Sequence, residues 1–88
     1  MKINKNIPVH EYEINGEIVE LVLDMRAKDL EVKYAFKVQP NEDDYVMKIV
    51  ILFAAMYNSA CIRNNDSENM IDVTDLMESD IDIDLITK

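Results

Sequence analysis

Residues Tyr45 to Tyr57 form the most apolar run of the chain: Tyr-Val-Met-Lys-Ile-Val-Ile-Leu-Phe-Ala-Ala-Met-Tyr, with Lys48 the one polar break. A segment this apolar must be covered on most sides, so the rest of the chain has to supply the cover. Asn41 precedes it as a candidate N-cap, and Glu42, Asp43 and Asp44 place acids in the first turn. At helical spacing Val46, Ile49, Val50, Phe53, Met56, Tyr57, Ala60 and Cys61 share a broad apolar face. Asp44, Lys48, Ala55, Ser59 and Arg63 fall opposite, with Leu52 and Ile62 among them. The helix is expected to reach about Arg63 and to stop at Asn64-Asn65, residues that tolerate a left-handed backbone.

Upstream, Asn15-Gly16 separates two alternating runs, Val9–Ile14 and Glu17–Leu23. Asn-Gly in that setting is the strongest short-range hairpin signal, because a type I′ turn needs φ > 0 at both central residues. A two-residue turn sets Ile14 against Glu17, Tyr12 against Val19 and His10 against Leu21. Tyr12, Ile14, Val19, Leu21 and Leu23 then form the core face, and Glu11 meets Glu20 on the other. After a loop at Asp24–Asp29, Leu30–Val38 alternates without a break. Period 2 predicts a third strand with Leu30, Val32, Tyr34, Phe36 and Val38 inward, and Lys33 beside Glu20.

The fold expected is therefore α+β, a three-stranded antiparallel β-meander packed on a long central helix. A short acidic C-terminal element, a short helix and/or an edge strand, completes it. Residues 1–88 form a single domain, with 64–88 as an acidic C-terminal segment within it. In that segment Asp72–Glu78 has the pattern of a short helix, with Val73, Leu76 and Met77 on one face. Asp80–Ile86 alternates strictly, as an edge strand or an extended tail does.

Charge divides the chain. Residues 1–63 hold ten acids and eight bases, a balance of −2, and residues 64–88 hold eight acids and one base, a balance of −7. Such a surface argues against direct binding of nucleic acid or anionic membrane, both of which need cationic patches. It favours a basic protein partner. One Cys permits no internal disulfide, and the polar start Met1–Asn6 lacks the apolar core of a signal peptide, so a cytoplasmic setting is expected.

No catalytic or metal motif is complete. Asp80, Asp82 and Asp84 have the spacing that opens an EF-hand loop, but its sixth position is Leu85 instead of Gly and no Glu follows. His10 is the only histidine and has no ligand partner at metal spacing; it reads as a packing residue at the rim of the core face. Cys61 reads as a small core residue. A single glycine, Gly16, leaves no phosphate loop. The sequence reads as a non-enzymatic binding protein without cofactor or metal.

Asp80, Asp82 and Asp84 on a strand leave from one face about 6.6 Å apart, near the phosphate spacing along a DNA strand. Asp72, Asp75 and Glu78 add a second row if helical. These six acids are the candidate partner-binding residues. The function they point to is an inhibitor that occupies the basic nucleic-acid site of a partner, a nuclease or other DNA-binding protein, by charge mimicry. In size, charge and layout the chain resembles the small acidic anti-defence inhibitors of phages and mobile elements, anti-CRISPR proteins included. The alternative is a structural protein acting through oligomerisation. A hairpin followed by an apolar helix is similar to phage tail-assembly chaperones, from which the third strand departs. Apolar Leu52, Ile51 and Ile62 outside the main helix face call for further cover, by the C-terminal segment or by a second copy in a homodimer.

Overall fold

The computed structural model describes residues 8–14 and 16–79. Its order is β1 (His10–Ile14), β2 (Glu17–Leu21), α1 (Met25–Val38), α2 (Tyr45–Arg63), a single 3₁₀ turn (Ser67–Asn69) and α3 (Val73–Met77). The class is α+β, with a two-stranded antiparallel sheet and one long central helix.

The hairpin has the expected register: Ile14 pairs with Glu17, Tyr12 with Val19, Glu11 with Glu20 and His10 with Leu21. Gly16 holds φ at 83°, the left-handed conformation that the tight turn needs and that glycine adopts without strain. Ile14 and Leu21 enter the core. The chain then leaves the strand. The Val22 amide donates to the Met56 carbonyl of α2 at 3.2 Å, which turns Val22 inward and leaves Leu23 45% exposed, not on the core face.

Residues 30–38 are not a third strand but the second half of α1. Asp24 caps the helix, its carboxylate accepting from the Ala27 amide at 2.8 Å, and Met25 to Glu31 are mostly good helix formers. The helix ends at Gln39, which takes φ 54° and donates its amide to the Ala35 carbonyl before Pro40. The uniform alternation thus splits. Leu30, Tyr34 and Val38 recur every four residues on the inner side, whereas Val32 and Phe36 point out. Lys33 pairs with Asp29 of the preceding turn at 2.8 Å, not with Glu20.

α2 starts at Tyr45, capped by Asp44 and not Asn41: the Asp44 carboxylate accepts from the Met47 amide at 3.1 Å. It ends at Arg63, and Asn65 takes the left-handed conformation. The hairpin covers one side, with Phe53, Val50 and Ile51 in one cluster with Ile14, Leu21, Val73 and Leu76. The side expected to be polar is buried as well, with Ala55 and Ser59 fully enclosed. The cover for that side comes from α1, packed against it. By length and composition α2 could cross a membrane, but half of it is enclosed within the fold, as in a core helix.

Asn58 of α2 is wholly buried, and each polar atom of its side chain is engaged. The amide nitrogen donates to the Tyr34 hydroxyl at 2.7 Å and to the Ile71 carbonyl at 2.8 Å, and its oxygen accepts from the Ile71 amide at 2.8 Å. One side chain therefore ties α2 to α1 and to the segment that leads into α3. Asn58→Ala strands the backbone groups of Ile71, and the expected cost is roughly 2–4 kcal/mol. Urea unfolding followed by far-UV circular dichroism measures it, and a parent-like midpoint would contradict the role assigned to Asn58.

Candidate functional site

The acidic segment contains two kinds of carboxylate. Asp72 is structural. It caps α3 by accepting from the Thr74 amide at 2.7 Å, and it pairs with Lys37 at the end of α1 at 2.8 Å. The Lys37 ammonium, then the Thr74 amide, hold its carboxyl down at about 2. Asp75 and Glu78 are exposed, Asp75 in the first turn of α3 and Glu78 at its C-terminal cap. Val73 and Leu76 bury the opposite side of α3, while Met77, expected with them, stays at the surface. Asp80, Asp82 and Asp84 lie outside the described residues. Of the six acids singled out in the sequence, Asp72 is thus committed to holding α3 in place, and Asp75 and Glu78 face solvent beside it.

The other sequence candidates are placed as follows. His10 is exposed on β1 rather than partly buried. Cys61 is buried. Burial pushes its thiol up, a hydrogen bond with Tyr57 offsets part of the rise, and Asp66 and Glu20 add to it, so the sulfur stays protonated at neutral pH. Among the described residues no three His, Cys, Asp or Glu side chains converge as a metal site.

A second surface was hidden in the sequence. Met25, Val32 and Phe36 stand seven and four residues apart on α1, which puts them on one side of the helix, turned away from α2. Met25 is 84% exposed and Phe36 76%. Tyr45 and Val46, in the first turn of α2, are also exposed, at the end of the helix pair where residues 39–44 join it. Read as a strand, Val32 and Phe36 belonged to the core. As a helix, the same residues form an apolar stripe on the outside. The sequence signals that could have found it are the Asp24 cap and the helix-forming run after it.

No family model, curated protein or solved structure matches the chain.

The ion pair and cap at Asp72 make α3 acid-sensitive. A carboxyl lowered from its ordinary value of 3.8 to about 2 contributes stability that is present above about pH 4 and lost as pH falls through about 2. Asp72→Ala should therefore unfold at lower urea than the parent at pH 6, with the two midpoints converging as pH approaches 2. A gap independent of pH would contradict the ion pair.

Proposed function

We propose that this chain is a non-enzymatic assembly protein of the phage tail-assembly chaperone type, acting through association with copies of itself. The observation that carries the reading is the apolar stripe Met25, Val32 and Phe36 on α1, which nothing among the described residues covers. Single exposed apolar residues are ordinary on a protein surface. Three in register on one helix, with Tyr45 and Val46 nearby in sequence at the next helix start, mark an interface. The occupant that fits is the same stripe on a second copy, apolar against apolar, since a two-fold contact needs only one such surface. The layout supports the reading too. With residues 25–38 helical, the strand that set the chain apart from tail-assembly chaperones is replaced by a helix, so that the hairpin is followed by a charged amphipathic helix and then the apolar α2.

A second reading has its own support. Residues 64–79 hold five acids and no base, and only Asp72 among them is paired with a lysine. That leaves Asp75 and Glu78 free to meet a basic partner, with Asp80, Asp82 and Asp84 continuing the row in sequence, as an inhibitor that occupies a nucleic-acid site would.

Both readings are open to direct test. Val32→Asp with Phe36→Asp places two charges on an exposed stripe, so the fold should hold while association is lost. Sedimentation velocity should show the parent as an assembly and the double variant as a monomer with an unchanged circular dichroism spectrum. A parent that is monomeric at high concentration overturns the assembly reading. For the inhibitor reading, Asp80, Asp82 and Asp84 changed together to Asn should abolish capture of a DNA-binding partner from host lysate and leave the melting temperature unchanged or higher. Undiminished capture at low and moderate salt overturns it.

A further inference from the structure

Phe53, Tyr57, Cys61 and Asn64 follow one another at steps of four, four and three, which lays them in one row along α2 and onto its C-cap. The row is about 16 Å long at 1.5 Å per residue. It is the floor of two adjoining cavities between α2 and the hairpin. The first, of about 190 Å³, is walled by apolar Ile14, Val19, Ile71 and Leu76 around Phe53. The second, of about 350 Å³, lies toward the C-terminal end of α2, and Glu17, Glu20 and Asp66 stand among its walls. Glu17, Val19 and Tyr57 line both, so one trough runs from an apolar end to an acidic end. The Phe53 and Tyr57 rings stack with centroids 6.3 Å apart and make its floor continuous.

The acidic end has one sign of charge. No lysine or arginine is among the residues that line either cavity. Arg63, the base next to it in sequence, is turned to Asp24 at 3.2 Å. Asn64 donates to the Glu20 carboxylate at 2.7 Å and fixes where that acid stands. α2 ends here as well, and the negative end of its dipole adds to the carboxylates. Two groups inside the trough register this field. Burial raises the Tyr57 hydroxyl, Cys61 adds to the rise, and Asp66 and Glu17 push the same way. Burial raises the Cys61 thiol too, the Tyr57 hydrogen bond offsets part of it, and Asp66 and Glu20 add to it.

We propose that this trough binds an extended basic segment of a partner protein, with a large apolar side chain at one end and lysine or arginine at the other. A floor of about 16 Å takes about five extended residues at ~3.3 Å each. Alternate residues of such a segment share a face, so apolar-x-basic-x-basic sets the apolar side chain over Phe53 and the two bases beside Glu17, Glu20 and Asp66. A second copy is the poorer occupant, because it brings a net charge of −9 to a site of the same sign. The inference goes beyond both readings above: the trough includes no residue of the α1 stripe and none of the six C-terminal acids.

The probe is the peptide acetyl-Leu-Ala-Lys-Ala-Lys-amide, titrated into the ¹⁵N-labelled full chain. The amide signals of Val19, Tyr57, Ala60 and Cys61 should move and saturate. Acetyl-Ala-Ala-Lys-Ala-Lys-amide should bind several-fold more weakly, and acetyl-Leu-Ala-Glu-Ala-Glu-amide should leave those signals in place. Glu17→Gln with Glu20→Gln keeps the shape of both side chains, and a glutamine oxygen still accepts from Asn64. Its dissociation constant for the lysine peptide should rise roughly tenfold, two exposed ion pairs being lost, with an unchanged circular dichroism spectrum. Parent binding should weaken as salt is raised. Val32→Asp with Phe36→Asp should bind the peptide as the parent does, whatever its state of assembly. The proposal is overturned if the trough signals stay in place up to millimolar lysine peptide, or if the lysine and glutamate peptides move them alike. It is equally overturned if the glutamine variant binds as tightly as the parent, or if the α1 variant, still folded, loses binding. Trough signals that move with protein concentration alone would put a second copy in the site and overturn the partner segment.

Discussion

The fold depends on a buried amide. Asn58 sits at the centre of α2 with no exposed surface, and it hydrogen-bonds Tyr34 of α1 and both backbone groups of Ile71. Apolar contact alone is non-directional and would let α1 slide or turn on α2. A buried amide with every partner in place does not permit that, because any other register leaves polar groups unsatisfied at about 1–3 kcal/mol each. Asp24 acts in the same way at the other end of α1. Burial pushes its carboxyl up, but the Ser59 hydroxyl at 2.6 Å, the Ala27 amide and Arg63 outweigh that and keep it below its ordinary value. One carboxylate thus starts α1 and anchors it to α2.

With α1 held at two points, its outer face has no freedom. Ala27 goes fully into the core, Leu30, Tyr34 and Val38 lie half-buried along the contact, and Met25, Val32 and Phe36 are left on the outside. The exposed stripe follows from the polar clasps and not from poor packing. It is a surface the fold presents at fixed geometry. The hairpin is fixed to α2 through Val22, whose amide donates to the Met56 carbonyl.

Acids serve two ends in this chain. Asp24, Asp44 and Asp72 each begin a helix and accept from backbone amides. Others, such as Glu17, Asp75 and Glu78, stand exposed on β2 or at α3 and give those places their charge. Net charge alone does not separate the two. The separation appears only when the hydrogen-bond partners are known, and it places Asp72 with the helix-starting acids.

The local signals were legible. Asn15-Gly16 set the hairpin and its register, because turn geometry and a side-chain period of two act over a few residues. The apolar run set α2 and its end near Arg63, and the pattern at Asp72–Glu78 set α3. The candidate site was less legible: Asp72 is engaged by the Thr74 amide and Lys37, Asp75 and Glu78 are exposed at α3, and Asp80, Asp82 and Asp84 lie outside the described residues. Residues 30–38 were ambiguous in principle. Apolar residues at every second position satisfy a strand with one buried face, and they equally satisfy a helix with one buried face and one exposed stripe. Tertiary contact decided between them: Asp24 could cap and clasp at once only if the chain turned helical after it, and Tyr34 could reach Asn58 only from a helix packed on α2. Those bonds join residues 35 and 24 positions apart, a distance over which no local pattern carries information.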